Sequence, residues 1–98
     1  MSKEFYILSE IADEDLEDIF DYSMTEFGFE QAEKYLNEIE EVFKSLLTNP
    51  ELGKTRNEIK IGLYSFPKDH HIIFYRILDN HIRIVSVLHG SRDIPRYF

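Results

Sequence analysis

The chain has 98 residues, of which 43% are hydrophobic and 14% aromatic, and it contains no cysteine. That is one domain's worth of sequence with enough apolar material for a core, and it excludes disulfides and thiolate metal sites. The net charge of −8 hides a split: residues 1–53 carry 15 acids against 3 lysines, whereas residues 54–98 carry 4 acids against 8 lysines and arginines, so an acidic protein can still present a basic surface. Residues 4–8, Glu4-Phe5-Tyr6-Ile7-Leu8, are predicted as a first strand, rich in aromatic and β-branched types and ended by Ser9.

Ser9 also predicts a helix start, because its hydroxyl can accept from an orphan N–H of the first turn. Glu10, Asp13, Glu14 and Asp15 follow where the helix dipole favours negative charge. Ala12, Leu16, Ile19, Phe20, Ser23 and Phe27 recur at steps of three and four, one stripe of a helix that Gly28 stops. A second helix is predicted from about Glu30, with the stripe Ala32, Tyr35, Leu36, Ile39, Val42, Phe43, Leu46 and Leu47. Its outer face is charged, and Asn49-Pro50 ends it. A link of about two residues makes the two helices an antiparallel hairpin.

The period then changes. Leu63 to Phe66, His71 to Leu78 and Ile82 to Leu88 are predicted strands, with turns at Pro67-Lys68-Asp69 and Asp79-Asn80. The last two strands should pair antiparallel. A two-residue loop would set Arg76 opposite Arg83, a like-charge pair, so the expected register is the one with Arg76 opposite Ile84. The expected fold is therefore α+β: a single domain over 1–98, an N-terminal strand, and a two-helix hairpin covering one face of a mostly antiparallel sheet. The other face is expected to be partly open, and to be where function sits.

Several motifs have plain explanations. Gly28, Gly53, Gly62 and Gly90 fall at breaks between elements, and no phosphate-cradling glycine pattern exists. His70 and His71 are adjacent and, within a strand, would point to opposite faces, so no metal site and no cofactor is expected. Met1-Ser2-Lys3-Glu4 has no basic region followed by a long apolar run. The longest apolar run, Ile72-Ile73-Phe74-Tyr75, is too short to cross a bilayer, so a cytoplasmic protein with no membrane partner is expected. Arg76, Arg83, Arg92 and Arg96 are forks suited to phosphate or carboxylate. The tail Arg96-Tyr97-Phe98 has the composition of a protein-binding anchor, or else folds back on the core.

In order and spacing these residues resemble a known family. Asn49-Pro50-Glu51-Leu52-Gly53, then Glu58-Ile59, Gly62-Leu63, Ser65-Phe66-Pro67, His71-Ile72-Ile73-Phe74-Tyr75-Arg76 and Val85-Ser86-Val87-Leu88-His89-Gly90 with Asp93 are similar to the ParE toxins of the RelE/ParE toxin–antitoxin superfamily. Ala12, Asp15, Leu16, Tyr22, Gly28, Gln31 and Ala32 fit as well, so the likeness covers nearly the whole chain. The resemblance implies a type II toxin that poisons DNA gyrase on cleaved DNA without catalysis of its own, touching DNA only through gyrase or its antitoxin. It implies a ParD-like antitoxin whose C-terminal segment lies over the helical hairpin and sheet edge, which places Leu16, Phe20, Tyr35 and Ile39 in that contact. It also implicates the C-terminal segment in gyrase inhibition, so Arg76, Arg83, Arg92, Arg96, Tyr97 and Phe98 are the expected target-binding residues. The alternative is ribosome-dependent mRNA cleavage of the RelE type, which needs a base, an acid and cations around a phosphate. His71, Arg76, His89, Arg92 and Tyr97 would have to gather on one sheet face for that. Lys54, Lys60 and Lys68 are few for such a site, and the acidic first half departs from the more basic character of the superfamily. A third reading is a binding module that kept the fold without toxicity.

Overall fold

In a computed structural model, which describes residues 2–91, Ile94 and Phe98, strand β1 (Phe5–Leu8) runs straight into helix α1 (Glu10–Phe27). Ser9 makes the junction. Its Oγ accepts from Ala12 N at 2.9 Å and donates to Val85 O at 2.8 Å, so one hydroxyl caps the helix and ties it to the sheet. Gly28, at φ 90°, is both the end of α1 and the cap of α2 (Phe29–Thr48). A Cβ there would meet nothing within 4 Å, so the need for glycine is conformational. The link is one residue, tighter than the sequence suggested. The two helices bury Ala12, Ile19, Ser23, Ala32, Ile39, Phe43 and Leu46.

α2 stops at Asn49, and Pro50–Leu52 form a 3-10 turn before the two-residue strand β2 (Lys54–Thr55). The turn falls in the Asn49–Gly53 stretch that carries the family resemblance, whereas β2 was not foreseen. The turn is clipped to the core by Tyr75, whose hydroxyl donates to Pro50 O at 2.7 Å and accepts from Gly53 N at 2.9 Å. A Cβ on Gly53 would come within 2.6 Å of Ser65 O and of the Tyr75 hydroxyl, which accounts physically for the glycine of the Asn-Pro-x-Leu-Gly stretch.

Strands β3 (Leu63–Lys68), β4 (His71–Ile77) and β5 (His81–His89) complete a five-stranded sheet ordered β1-β5-β4-β3-β2. β1 is parallel to β5 and the other pairs are antiparallel. Pro67 and Lys68, expected in a turn, belong to β3. The turn is Asp69-His70, with Asp69 at φ 53°, a region that Asp tolerates better than most residues. Pro67 is admitted because β2 pairs with β3 only at Tyr64 and Ser65.

The expected β4–β5 register is corrected. Arg76 lies opposite Arg83, not Ile84, within a hairpin that also pairs Ile77 with Ile82 and Tyr75 with Ile84. A one-residue slip would turn these apolar side chains out of the core, a larger loss than an exposed like-charge pair. A bulge at Val85 then shifts the ladder by one, so that Phe74 faces Ser86 and Ile73 faces Val87.

The main core lies between the helices and the sheet, around Ile39, Phe43, Leu46, Ile73, Tyr75, Ile82, Ile84 and Val87. The opposite face is less open than expected. It carries a second buried cluster, Leu63, Phe74 and Leu88, against which Ile59, Ile72, Val85 and Phe98 pack.

Candidate functional site

Alternation along β4 and β5 sends Arg76 and Arg83 to the sheet face away from the helices, the face of Phe74 and Leu88. Arg76 Nη1 donates to Ile61 O at 3.2 Å, and Arg83 stays exposed. Arg56 joins them. Its guanidinium lies 5.9 Å from the Phe74 ring centre, its Nε donates to Glu58 at 2.7 Å and its Nη1 to Ser65 Oγ at 3.2 Å. The hydrogen bond from Arg56 holds the Glu58 carboxyl below its usual range. Phe98 meets Phe74 edge-on at 4.9 Å. Arg56, Arg76 and Arg83 thus share one aromatic-centred face. Sequence reasoning missed Arg56, because the all-apolar run Ile72 to Tyr75 does not reveal which ring lies on the sheet face away from the helices. Arg92, Arg96 and Tyr97, expected to extend this surface, lie outside the described residues, as does Asp93.

The imidazoles are elsewhere. His71 sits on the helix side, its Nδ1 2.7 Å from the Tyr35 hydroxyl, while Arg76, five residues on, is on the opposite face. The His71 ring meets His89 at 5.5 Å in a T-shaped contact. His70 lies in the turn and not in the strand, and its ring stacks on His89 at 6.2 Å, so both neighbours approach the same partner. The gathering of His71, Arg76 and His89 on one face is therefore corrected: strand alternation separates Arg76 from the two histidines. Burial first, then the His89 and His70 imidazoles, push the His71 pKa down. Burial pushes the Tyr35 hydroxyl up to about 12, so it stays protonated. Among the described residues no group of three His, Cys, Asp or Glu is placed to hold a metal ion.

Beside these rings a cleft of about 400 Å³ opens between α1 and the end of the sheet, lined by Asp15, Asp18, Tyr22, His71 and His89 among others. Asp15 anchors its floor. One carboxylate oxygen accepts from Ser86 Oγ at 2.6 Å and Val87 N at 2.9 Å, the β5 edge that β1 leaves uncovered beyond Ile84. Among the acids of α1, the family resemblance singled out Asp15, but neither periodicity nor charge showed this task.

On the hairpin, Leu16 and Phe20 are half-buried and line a second groove of about 380 Å³ with Asp13, Glu17, Asp21 and Leu36. Tyr35 is half-buried, with its hydroxyl donating to Lys68 O. Ile39 is 0% exposed within the core and offers no surface to a partner, because it lies on the α2 stripe that packs on the sheet. The hairpin tip, unnoticed in the sequence, exposes Phe27 and Phe29 by 67% and 55%, with Phe20 edge-on to Phe29 at 6.1 Å. No helix among the described residues is long and apolar enough to cross a membrane.

Comparison with known proteins identifies what this geometry is similar to. Residues 6–94 match the family described as ParE toxin of type II toxin-antitoxin system, parDE. Toxin ParE1 of Mycobacterium tuberculosis is 35% identical over 92 residues, covering 93% of this chain and 94% of that protein. Toxin ParE1 of Caulobacter vibrioides is 33% identical, covering 90% and 91%. Among solved structures, the chromosomal ParDE TA system from P. aeruginosa superposes with a TM-score of 0.78 at 21% identity, covering 91% of this chain and 97% of that one. The YoeB dimer from Staphylococcus aureus superposes with a TM-score of 0.61 at 25% identity, covering 90% and 98%.

Proposed function

The chain belongs to the ParE toxin family of type II toxin–antitoxin systems, and from that premise we propose that it is a non-catalytic poison of the DNA gyrase–DNA cleavage complex, neutralised by a ParD-like antitoxin. The observation that carries the non-catalytic reading is the separation of its chemistry. RNA cleavage by 2′-hydroxyl attack needs a base, an acid and phosphate-binding cations around one phosphorus. Here His71 and His89 lie beneath α1, while Arg56, Arg76 and Arg83 lie on the opposite sheet face.

The cationic face, with Arg76, Arg83 and Phe98, is the proposed gyrase contact, and Arg92, Arg96 and Tyr97 of the tail are proposed to act with it. The acidic hairpin, with the Leu16–Phe20 groove, half-buried Tyr35 and the Phe27–Phe29 tip, is the proposed antitoxin contact. A basic antitoxin segment would be drawn there electrostatically and would bind more weakly as salt rises. Purified protein should inhibit gyrase supercoiling and accumulate cleaved DNA. Expression should arrest growth, and co-expression of the antitoxin should relieve it. Supercoiling untouched at large excess over gyrase refutes the reading.

The shared fold with YoeB keeps one alternative specific: ribosome-dependent mRNA cleavage using His71 and His89 with Arg92 and Tyr97 of the tail, without Arg76, which lies on the other face. Codon-linked cuts on translating ribosomes, mapped by primer extension and abolished by His89→Ala, would select it.

A further inference from the structure

We propose that the cleft between α1 and the end of β4–β5 is a receptor for a single arginine side chain of a protein partner, taken up by hydrogen-bond acceptors that line it on the helix and on the sheet. The inference concerns the occupant of this cleft and does not depend on gyrase being the target.

The acceptors are assigned by hydrogen-bond bookkeeping. The Tyr35 hydroxyl has one proton and donates it to Lys68 O at 3.1 Å. The 2.7 Å contact with His71 Nδ1 is then a bond in which the imidazole N–H donates to Tyr35. In the tautomer so assigned His71 Nε2 is bare, and this nitrogen has no partner among the described residues. Burial first, then the neighbouring imidazoles, push the ring's pKa down and so favour its neutral form. His89 is fixed the other way: its Nδ1 accepts from Ser91 N at 3.2 Å. It contributes a flat ring face at right angles to His71.

Across the cleft stand the Asp18 carboxylate and the Tyr22 hydroxyl. Both residues are exposed, and neither has a polar partner among the described residues. The Asp15 carboxylate below them is already committed to Ser86 and Val87, so Asp18 supplies the accessible charge. α1 adds Asp13, Glu14, Glu17 and Asp21 and no basic residue. This field rejects a phosphate or carboxylate and favours a cation.

Arginine fits better than lysine for a geometric reason. A guanidinium spreads five N–H donors in one plane and stacks on rings, so it has donors for the His71, Asp18 and Tyr22 acceptors that line the cleft beside the His89 ring. An ammonium is a point charge with no flat face to use.

The test is a titration of isotope-labelled protein with Nα-acetyl-L-arginine amide, and separately with the lysine analogue, followed by amide and imidazole NMR shifts. Saturable shifts are expected at Asp18, Tyr22, Val87, His71 and His89, with a Kd of about 1 mM for so small a ligand. The lysine analogue should bind at least about tenfold more weakly, as should arginine to D18N, an exposed substitution that leaves the core intact. Tyr22→Ala gives a second variant remote from the folding core. No saturation by the arginine probe, equal binding of the lysine probe, or arginine binding unchanged in both variants overturns the proposal. None of these outcomes bears on gyrase inhibition.

Discussion

Tyr75 shows how much of this structure rests on single polar atoms in apolar surroundings. Its ring lies in the core while its hydroxyl serves Pro50 O and Gly53 N. Tyr75→Phe should leave both unpaired and cost about 1–3 kcal/mol of stability, read as a lower urea midpoint at constant slope. Gly53→Ala should be worse, since its Cβ would overlap Ser65 O and the same hydroxyl. An unchanged midpoint in both variants would remove the clip from the account. His71 gives a pH prediction. Its folded pKa is lowered while the unfolded value stays near the ordinary ~6.5. Below that pH the unfolded chain binds a proton that the folded chain refuses, so stability is full above it and falls with acidification until the folded pKa is reached. The charged and titratable neighbours are His70, His89, Tyr35, Asp69, Lys68, Asp15 and Asp18, of which Asp69 opposes the shift. Thermal unfolding between roughly pH 7 and 5 should lose more stability in the parent than in His71→Gln; parallel curves would show the imidazole to be uninvolved. These residue roles were the least legible in the sequence. Asp15 was named by the family resemblance but without a role, and Arg56 acquires its place only when Phe74 is known to lie on the face away from the helices.

Elements were legible to the extent that they carry a period. The two helices follow from apolar steps of three and four, bounded by Ser9, Gly28 and Asn49-Pro50, and each boundary signal corresponds to a cap or break in the structure. The 3-10 turn and β2 are too short to show any period. The β4–β5 register was misjudged for an instructive reason. Avoiding an Arg76–Arg83 pair was given more weight than the apolar pairs Ile77–Ile82 and Tyr75–Ile84, yet exposed like charges cost only tenths of a kcal/mol to about one. At and beyond the Val85 bulge, which is invisible in the sequence, the β5 edge that β1 leaves uncovered is served from the start of α1: its cap Ser9 takes Val85 O and Asp15 takes Val87 N. Asp15→Ala should therefore loosen the helix–sheet joint, costing about 2–3 kcal/mol through the lost charge-assisted bonds. Native-state hydrogen exchange at Val87 should accelerate well beyond that at Ile73, in the centre of β4. Equal acceleration at both sites would mean global destabilisation and no local anchor.

At the scale of the whole molecule, the charge split of the sequence becomes two faces: acidic helices on one side of the sheet, and Arg56, Arg76 and Arg83 around Phe74 on the other. The split itself was legible by counting, and the fold by the order of its elements. How the faces divide the chemistry was not, because it depends on the parity of positions along β4, where His71 and Arg76 fall on opposite sides. That division makes function separable from stability. Arg83 is exposed, faces Arg76 and makes no hydrogen bond or ion pair among the described residues. Arg83→Ala relieves a like-charge pair, so its stability should stay within about 0.5 kcal/mol of the parent or rise slightly. If the cationic face is the gyrase contact, the same substitution should weaken inhibition of supercoiling by roughly tenfold, the loss of one charged interface group. Removing residues 96–98 should abolish inhibition while leaving antitoxin binding, proposed for the far side of the sheet, largely intact. The truncation also strips Phe98 from Phe74, so its melting temperature must be measured alongside. Arg83→Ala needs no such correction, and it decides the matter: full inhibition by this variant would move the gyrase contact off the sheet, whatever the truncation does.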